Sequence, residues 1–184
     1  GYSTKVAFDG KPPCVSADGT TVSSGKNRGC ATYRASRGYT SGKVYAELAF
    51  SSEFADGKPN TWTNAAFTSK RFLSSVSTGA GHFSFAGSFN KHLLKSGDLI
   101  GIAADLDQSV IYWHVNGVWR TGRPASGLGE PILDMGTEHF LAVSVQGGDK
   151  GERESWTANF GESPFKYPPP EGFKNYSATV RGAS

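Results

Sequence analysis

Glycine-centred turn signals punctuate this chain at short intervals: Asp9-Gly10, Asp18-Gly19, Ser24-Gly25, Ser41-Gly42, Asp56-Gly57, Gly79 to Gly81, Ser96-Gly97, Asn116-Gly117 and Gly147-Gly148. Between them lie runs in which apolar and polar residues alternate with period two: KVYAELAF (43–50), DLIGIAADL (98–106), SVIYWHV (109–115), HFLAVSV (139–145) and ESWTANF (154–160). Short alternating runs bounded by turns predict an all-β protein built as an antiparallel sandwich or barrel. Glycine supplies 24 of the 184 residues, well above the usual share of about 7%, as a chain with many tight turns requires. FNKHLLKS (89–96) is the one place where a helical turn fits, and it is too short to shape the architecture.

Residues 105–119, DLDQSVIYWHVNGVW, admit two readings. Asp105, Asp107 and His114 are the ingredients of a small active site, whereas Asn116-Gly117 between alternating runs is a strong β-hairpin signal. With a turn at 106–108, strand 98–105 pairs back onto 109–115 and Asn116-Gly117 reverses the chain again. Alternation then sends Ile111, Trp113 and Val115 to the core, and Val110, Tyr112 and His114 to the opposite, exposed face. Asp105 and Asp107 fall at a strand end and a turn, where Asp bonds its own backbone. The hairpin reading is preferred.

One domain spanning 1–184, with 1–11 and 174–184 as flanking termini, is expected from the length. The formal charge of +3 comes from scattered basic residues, which argues against nucleic-acid binding. No apolar run approaches a membrane span and no signal-peptide pattern opens the chain, so no membrane insertion is expected. Cys14 and Cys30 lack CxxC or histidine partners at metal spacing, so no structural metal is expected. Both are expected to be free thiols. No cofactor motif is present either.

GDLIGIAADLDQSVIYWHVNGV (97–118) resembles the central signature of SPRY (B30.2-like) domains, and FLAVSV with WTANFGESPFKYPPPEGF (140–145, 156–173) resembles their C-terminal signature, in the form found in bacterial and phage proteins. KVYAELAF is similar to the family's early strand, which carries an aromatic residue and then Glu. The match is fair over 12–50 and poor over 51–96, and Ala46 and Trp156 depart from the pattern. The resemblance implies a single bent antiparallel β-sandwich of the concanavalin-like jelly-roll kind, and binding rather than catalysis. It implies a partner met by loops at one end of the sandwich: 23–29, 69–75 and 146–155. The binding residues expected from it are Lys26, Asn27, Arg28, Lys70, Arg71, Phe72, Gln146, Gly147, Asp149 and Lys150. If these loops converge, they make a locally basic rim, which suits an acidic glycan or acidic peptide in a surface, secreted or virion protein.

Three other readings remain open. A protein- or peptide-binding module would use the same end loops. A sheet-face sugar platform would use Tyr112 and His114, with Trp62 and Trp119 as further candidates; His114-Val115-Asn116 is similar to the H-x-N start of the galectin sugar site, but Gly117-Val118 replaces the Pro-Arg that should follow. A jelly-roll hydrolase or lyase would need a constellation that is missing from the sequence: there is no G-x-S-x-G or E-x-D-x-x-E, and His82, His92, His114 and His139 are scattered.

Overall fold

The computed structural model describes residues 5–25, 30–61, 63–69, 94–120, 122–132 and 138–178. Among these the regular elements are all strands: β1 (Thr21–Ser23), β2 (Cys30–Arg34), β3 (Lys43–Ser52), β4 (Asn64–Ser69), β5 (Leu99–Asp105), β6 (Val110–Val115), β7 (Val118–Trp119), β8 (Glu130–Pro131), β9 (His139–Gln146), β10 (Glu154–Asn159) and β11 (Lys174–Asn175). The five alternating runs of the sequence are β3, β5, β6, β9 and β10. The 89–93 part of the expected helical turn lies outside the described residues.

Eight strands make one sheet in the order β1-β10-β3-β5-β6-β7, with β11 on β3 and β8 on β6; β2-β9-β4 make a second. Every pairing is antiparallel except β11 with β3. The period-two pattern decides what lies between the sheets. From β3, Val44, Ala46, Leu48 and Phe50 join Ile100, Ile102, Ile111, Trp113 and Trp156 of the large sheet against Leu141, Val143 and Val145 of the small one. The indole N–H of Trp156 crosses the gap to donate to the carbonyl of Ser144 at 3.1 Å, so this large side chain is buried without an orphaned donor. The architecture is an antiparallel β-sandwich.

Asn116 and Gly117 take φ of 51° and 87°, positive at both positions as a two-residue hairpin with the sheet's twist requires. Asp105 Oδ1 accepts the Gln108 N–H at 3.0 Å, and Asp107 Oδ1 accepts the Gly42 N–H at 2.8 Å. The acid pair therefore serves turns, as the hairpin reading expects.

The exposure of Tyr112 and His114 is corrected. They do lie on the face away from the main core, but they are 0% and 2% exposed. The segment after β10 folds across that face, and a second small core forms from Tyr45, Ala103, Tyr112 and Phe173 with Trp119 and Phe165 against it. Beneath this cover, Glu47 accepts the Lys166 and Tyr167 N–H groups at 2.8 and 2.9 Å and the Tyr45 hydroxyl at 3.1 Å. One carboxylate thus straps the segment to the sheet.

Cys14 carries a free thiol; the side chain of Cys30 lies outside the described residues.

Candidate functional site

Strand directions sort the connections between two ends of the sandwich. β9 runs from His139 to Gln146, and the return strand β10 starts at Glu154 opposite Ser52, the last residue of β3. Ser23 pairs with Ser155, and Cys30 pairs with Gln146. The connections β1–β2, β3–β4 and β9–β10 therefore meet at the Gln146 end. Of the three expected loops, 146–155 and the described start of 23–29 (Ser23 to Gly25) share this end.

The third does not begin there. Ser69, the last residue of β4, pairs with His139, so the chain enters 70–75 from the opposite end of the sandwich. The poor sequence match over 51–96 left β4 without a partner, and its antiparallel run along β9 is what decides at which end it finishes. Lys26, Asn27, Arg28, Lys70, Arg71, Phe72, Trp62, His82 and His92 lie outside the described residues.

The wall that replaces it comes from the β3–β4 connection, to which the sequence assigned only Trp62. Phe54, Asn60 and Thr61 face Gln146, Gly147, Gly148, Asp149, Lys150 and Glu152 across a cavity of about 400 Å³. The predicted residues Gln146, Gly147, Asp149 and Lys150 are thus brought together. Phe54, Asn60 and Thr61 are the residues sequence reasoning missed: they read as ordinary loop formers.

Each wall is held by its own hydrogen bonds and tied to the other. The Gly148 N–H donates to the Glu152 carbonyl at 2.9 Å, and the Lys150 N–H donates to Glu152 Oε1 at 2.7 Å, closing a small turn. Gly148 has to be glycine here, because a Cβ would lie 2.7 Å from both the Phe54 ring and the Glu152 carboxylate. The backbones of Glu53 and Arg153 continue the β3–β10 ladder, the Glu53 N–H donating to the Arg153 carbonyl at 2.8 Å, while Glu53 Oε1 accepts the Arg153 N–H at 2.8 Å. Asn60 Nδ2 donates to the Gly147 carbonyl at 3.2 Å. Below, the carboxylate of Glu154, 1% exposed, accepts the Asn60 N–H at 2.8 Å and the Thr63 hydroxyl.

The described walls of this end carry mixed charge, while Lys26, Arg28, Lys70 and Arg71, on which the expected basic rim depends, lie outside the described residues. Segments 53–61 and 146–154 carry five carboxylates (Glu53, Asp56, Asp149, Glu152, Glu154) against three cations (Lys58, Lys150, Arg153).

A larger cleft of about 760 Å³ lies at the His139 end, lined among others by Arg37, Gly42, Lys43, Asp107, Glu138 and Lys174. Several of its polar groups hold the chain together: Asp107 accepts the Gly42 N–H, and Arg37 Nη1 donates to the carbonyl of Ala178 at 2.9 Å. The two described histidines do not form a set. His114 lies in the large sheet and His139 in the small one, each buried. Trp119 is half-buried, with its ring edge-on to His114 at 5.0 Å. Among the described residues no cluster of His, Cys, Asp or Glu is placed to hold a metal ion.

The class defined by this geometry is an antiparallel β-sandwich whose connections build a polar cavity at one end. No protein-family model matches the chain, and no curated protein matches it. Among solved structures it is similar to the SPRY domain of human HERC1, at 17% sequence identity and a TM-score of 0.43, over 78% of this chain and 91% of that one.

Proposed function

We propose that this chain is a non-catalytic recognition module that binds a short segment of a partner protein in the cavity between 53–61 and 146–154. The observation that carries this reading is the preparation of the cavity: both walls are hydrogen-bonded into place in the free protein, with a phenyl ring at one side and polar groups at the rest. Its size lies within the roughly 300–1,000 Å³ of ordinary ligand sites. Rigid walls spare the ordering cost that a mobile loop site adds to binding. Mixed charge makes shape and hydrogen bonding the basis of selection and favours a largely uncharged, polar segment over an acidic one. Burial of Tyr112 and His114 removes the sheet-face sugar platform and leaves the end loops as the place where a ligand is met.

Selection of a random peptide library displayed on phage against the immobilised protein tests this. Enriched peptides should lose at least about tenfold in affinity, roughly 1.4 kcal/mol, on Thr61→Arg, which fills the cavity mouth. They should bind normally to Thr157→Arg on the exposed face of β10. Failure to enrich any peptide, or equal binding to both variants, rules the site out.

A further inference from the structure

We infer that Glu154 is the positioning residue of the end cavity: its buried carboxylate makes the β3–β4 and β9–β10 connections behave as one body, and its backbone ties them to the end of β1. The inference rests on the peptide-site reading for its purpose, but not for its geometry.

Glu154 touches all three connections. Its backbone N–H donates to Ser24 Oγ at 3.0 Å, and its carbonyl accepts the Ser24 N–H at 3.0 Å, fixing the point where the chain leaves β1. Its Oε2 accepts the Asn60 N–H at 2.8 Å and its Oε1 accepts the Thr63 hydroxyl, fixing both sides of the β3–β4 connection. Thr63 Oγ1, having donated its proton to the carboxylate, accepts the Gln146 N–H at 3.1 Å and so carries the link into the β9–β10 connection. Asn60 closes the circuit from the other side through its Nδ2 bond to Gly147.

A carboxylate suits this place because both of its oxygens are acceptors, and each meets a donor from a different residue. A carboxamide of the same shape has one acceptor oxygen and turns an N–H towards a donor. The hydroxyl of Thr63 also has its direction set by the carboxylate, which leaves its lone pairs for Gln146. Movement at Asn60 is therefore passed to Gln146 through two side chains. Both residues line the cavity.

Amide hydrogen exchange on the free protein, followed by NMR, tests the joint without a ligand, so its failure is separate from failure of the peptide selection. In Glu154→Gln, exchange at Asn60 and Gln146 should rise together by about tenfold or more, while Ile102 and Trp113 in the middle of the large sheet keep their protection. Thr63→Val leaves the carboxylate in place and removes only the relay, and it should also raise exchange at both Asn60 and Gln146; it decides the matter alone if the first variant does not fold. Acceleration confined to the residue that directly lost its bond would show that the connections are held separately. Uniform acceleration that includes Ile102 and Trp113 would show that Glu154 serves only general stability. Either result overturns the assignment.

Discussion

Nε2 of His114 lies 2.7 Å from the phenolic oxygen of Tyr45 on the outer face of the large sheet, and this contact fixes the protons of a buried chain. His114 Nδ1 accepts the Gly117 N–H at 3.1 Å, so the neutral ring carries its proton on Nε2 and donates it to Tyr45. Tyr45 in turn donates to Glu47 at 3.1 Å. Burial, together with the neighbouring Glu47 carboxylate, holds the Tyr45 phenol well above its ordinary range.

Acid should weaken the fold through His114. Burial pushes its pKa down from 6.5 to about 4, so between those values the unfolded chain binds a proton that the folded chain does not. The stability this contributes is complete above pH 6.5 and is lost as pH falls through about 4. A urea midpoint lower at pH 4.5 than at pH 7 is expected, with a shallower drop in His114→Phe. An identical drop in that variant would clear His114 of the effect.

Gly101→Ala should destabilise strongly, although Gly in mid-strand is ordinarily the weaker choice. A Cβ at this position would lie 1.8 Å from His114 Nε2, beneath the packed cover of Tyr167 and Trp119. Overpacking of this kind costs about 1–3 kcal/mol or more, and urea denaturation measures it. A neutral or stabilising result would mean that the imidazole has room to move.

Replacing Asp105 and Asp107 together by Asn should cost no more than about 1 kcal/mol, because Asn keeps the oxygen that each turn N–H needs. Asp105→Ala should cost more, about 1–3 kcal/mol, since it removes a part-buried hydrogen bond from the Gln108 N–H to a charged acceptor. Peptide affinity at the Gln146 end should be unchanged in both variants. Titration calorimetry beside thermal melts separates the two effects.

Salt should matter little to the proposed site. With carboxylates and cations interspersed along both walls, shortening the screening length from about 10 Å at 0.1 M to about 3 Å at 1 M should change the affinity of a selected peptide less than about threefold. A steep fall would point instead to a charged ligand and to cations outside the two walls.

The large strands were legible because each carries its own alternation and ends at a turn with its own chemistry, Asn116-Gly117 above all. What alternation cannot show is whether the second face of a strand is covered. Tyr112 and His114 read as exposed because their cover, Phe165 to Phe173, is a proline-rich stretch with no period; it is held down by hydrogen bonds to Glu47, which stands 119 residues before Lys166. The site was half legible for the same reason. Gln146 to Lys150 follow a recognisable strand, but Asn60 becomes a wall through a hydrogen bond to Glu154, 94 residues away. The end at which β4 finishes depends on its pairing antiparallel to β9, and no local pattern in NAAFTS records that partner.

β11 lies along β3 at Val44 and Tyr45, on the edge whose remaining length is taken by β10. Tyr176, next to it, enters the main core, donates its hydroxyl to the Arg37 carbonyl at 2.5 Å and accepts the Leu141 N–H at 3.1 Å. A ribosome delivers these residues after every other described strand, so a nascent chain that stops short of Tyr176 holds a gap in its interior and a bare stretch of strand edge. Such surfaces are what chaperones hold and aggregates recruit. Completion of the sandwich is thereby deferred until residue 176 has left the exit tunnel.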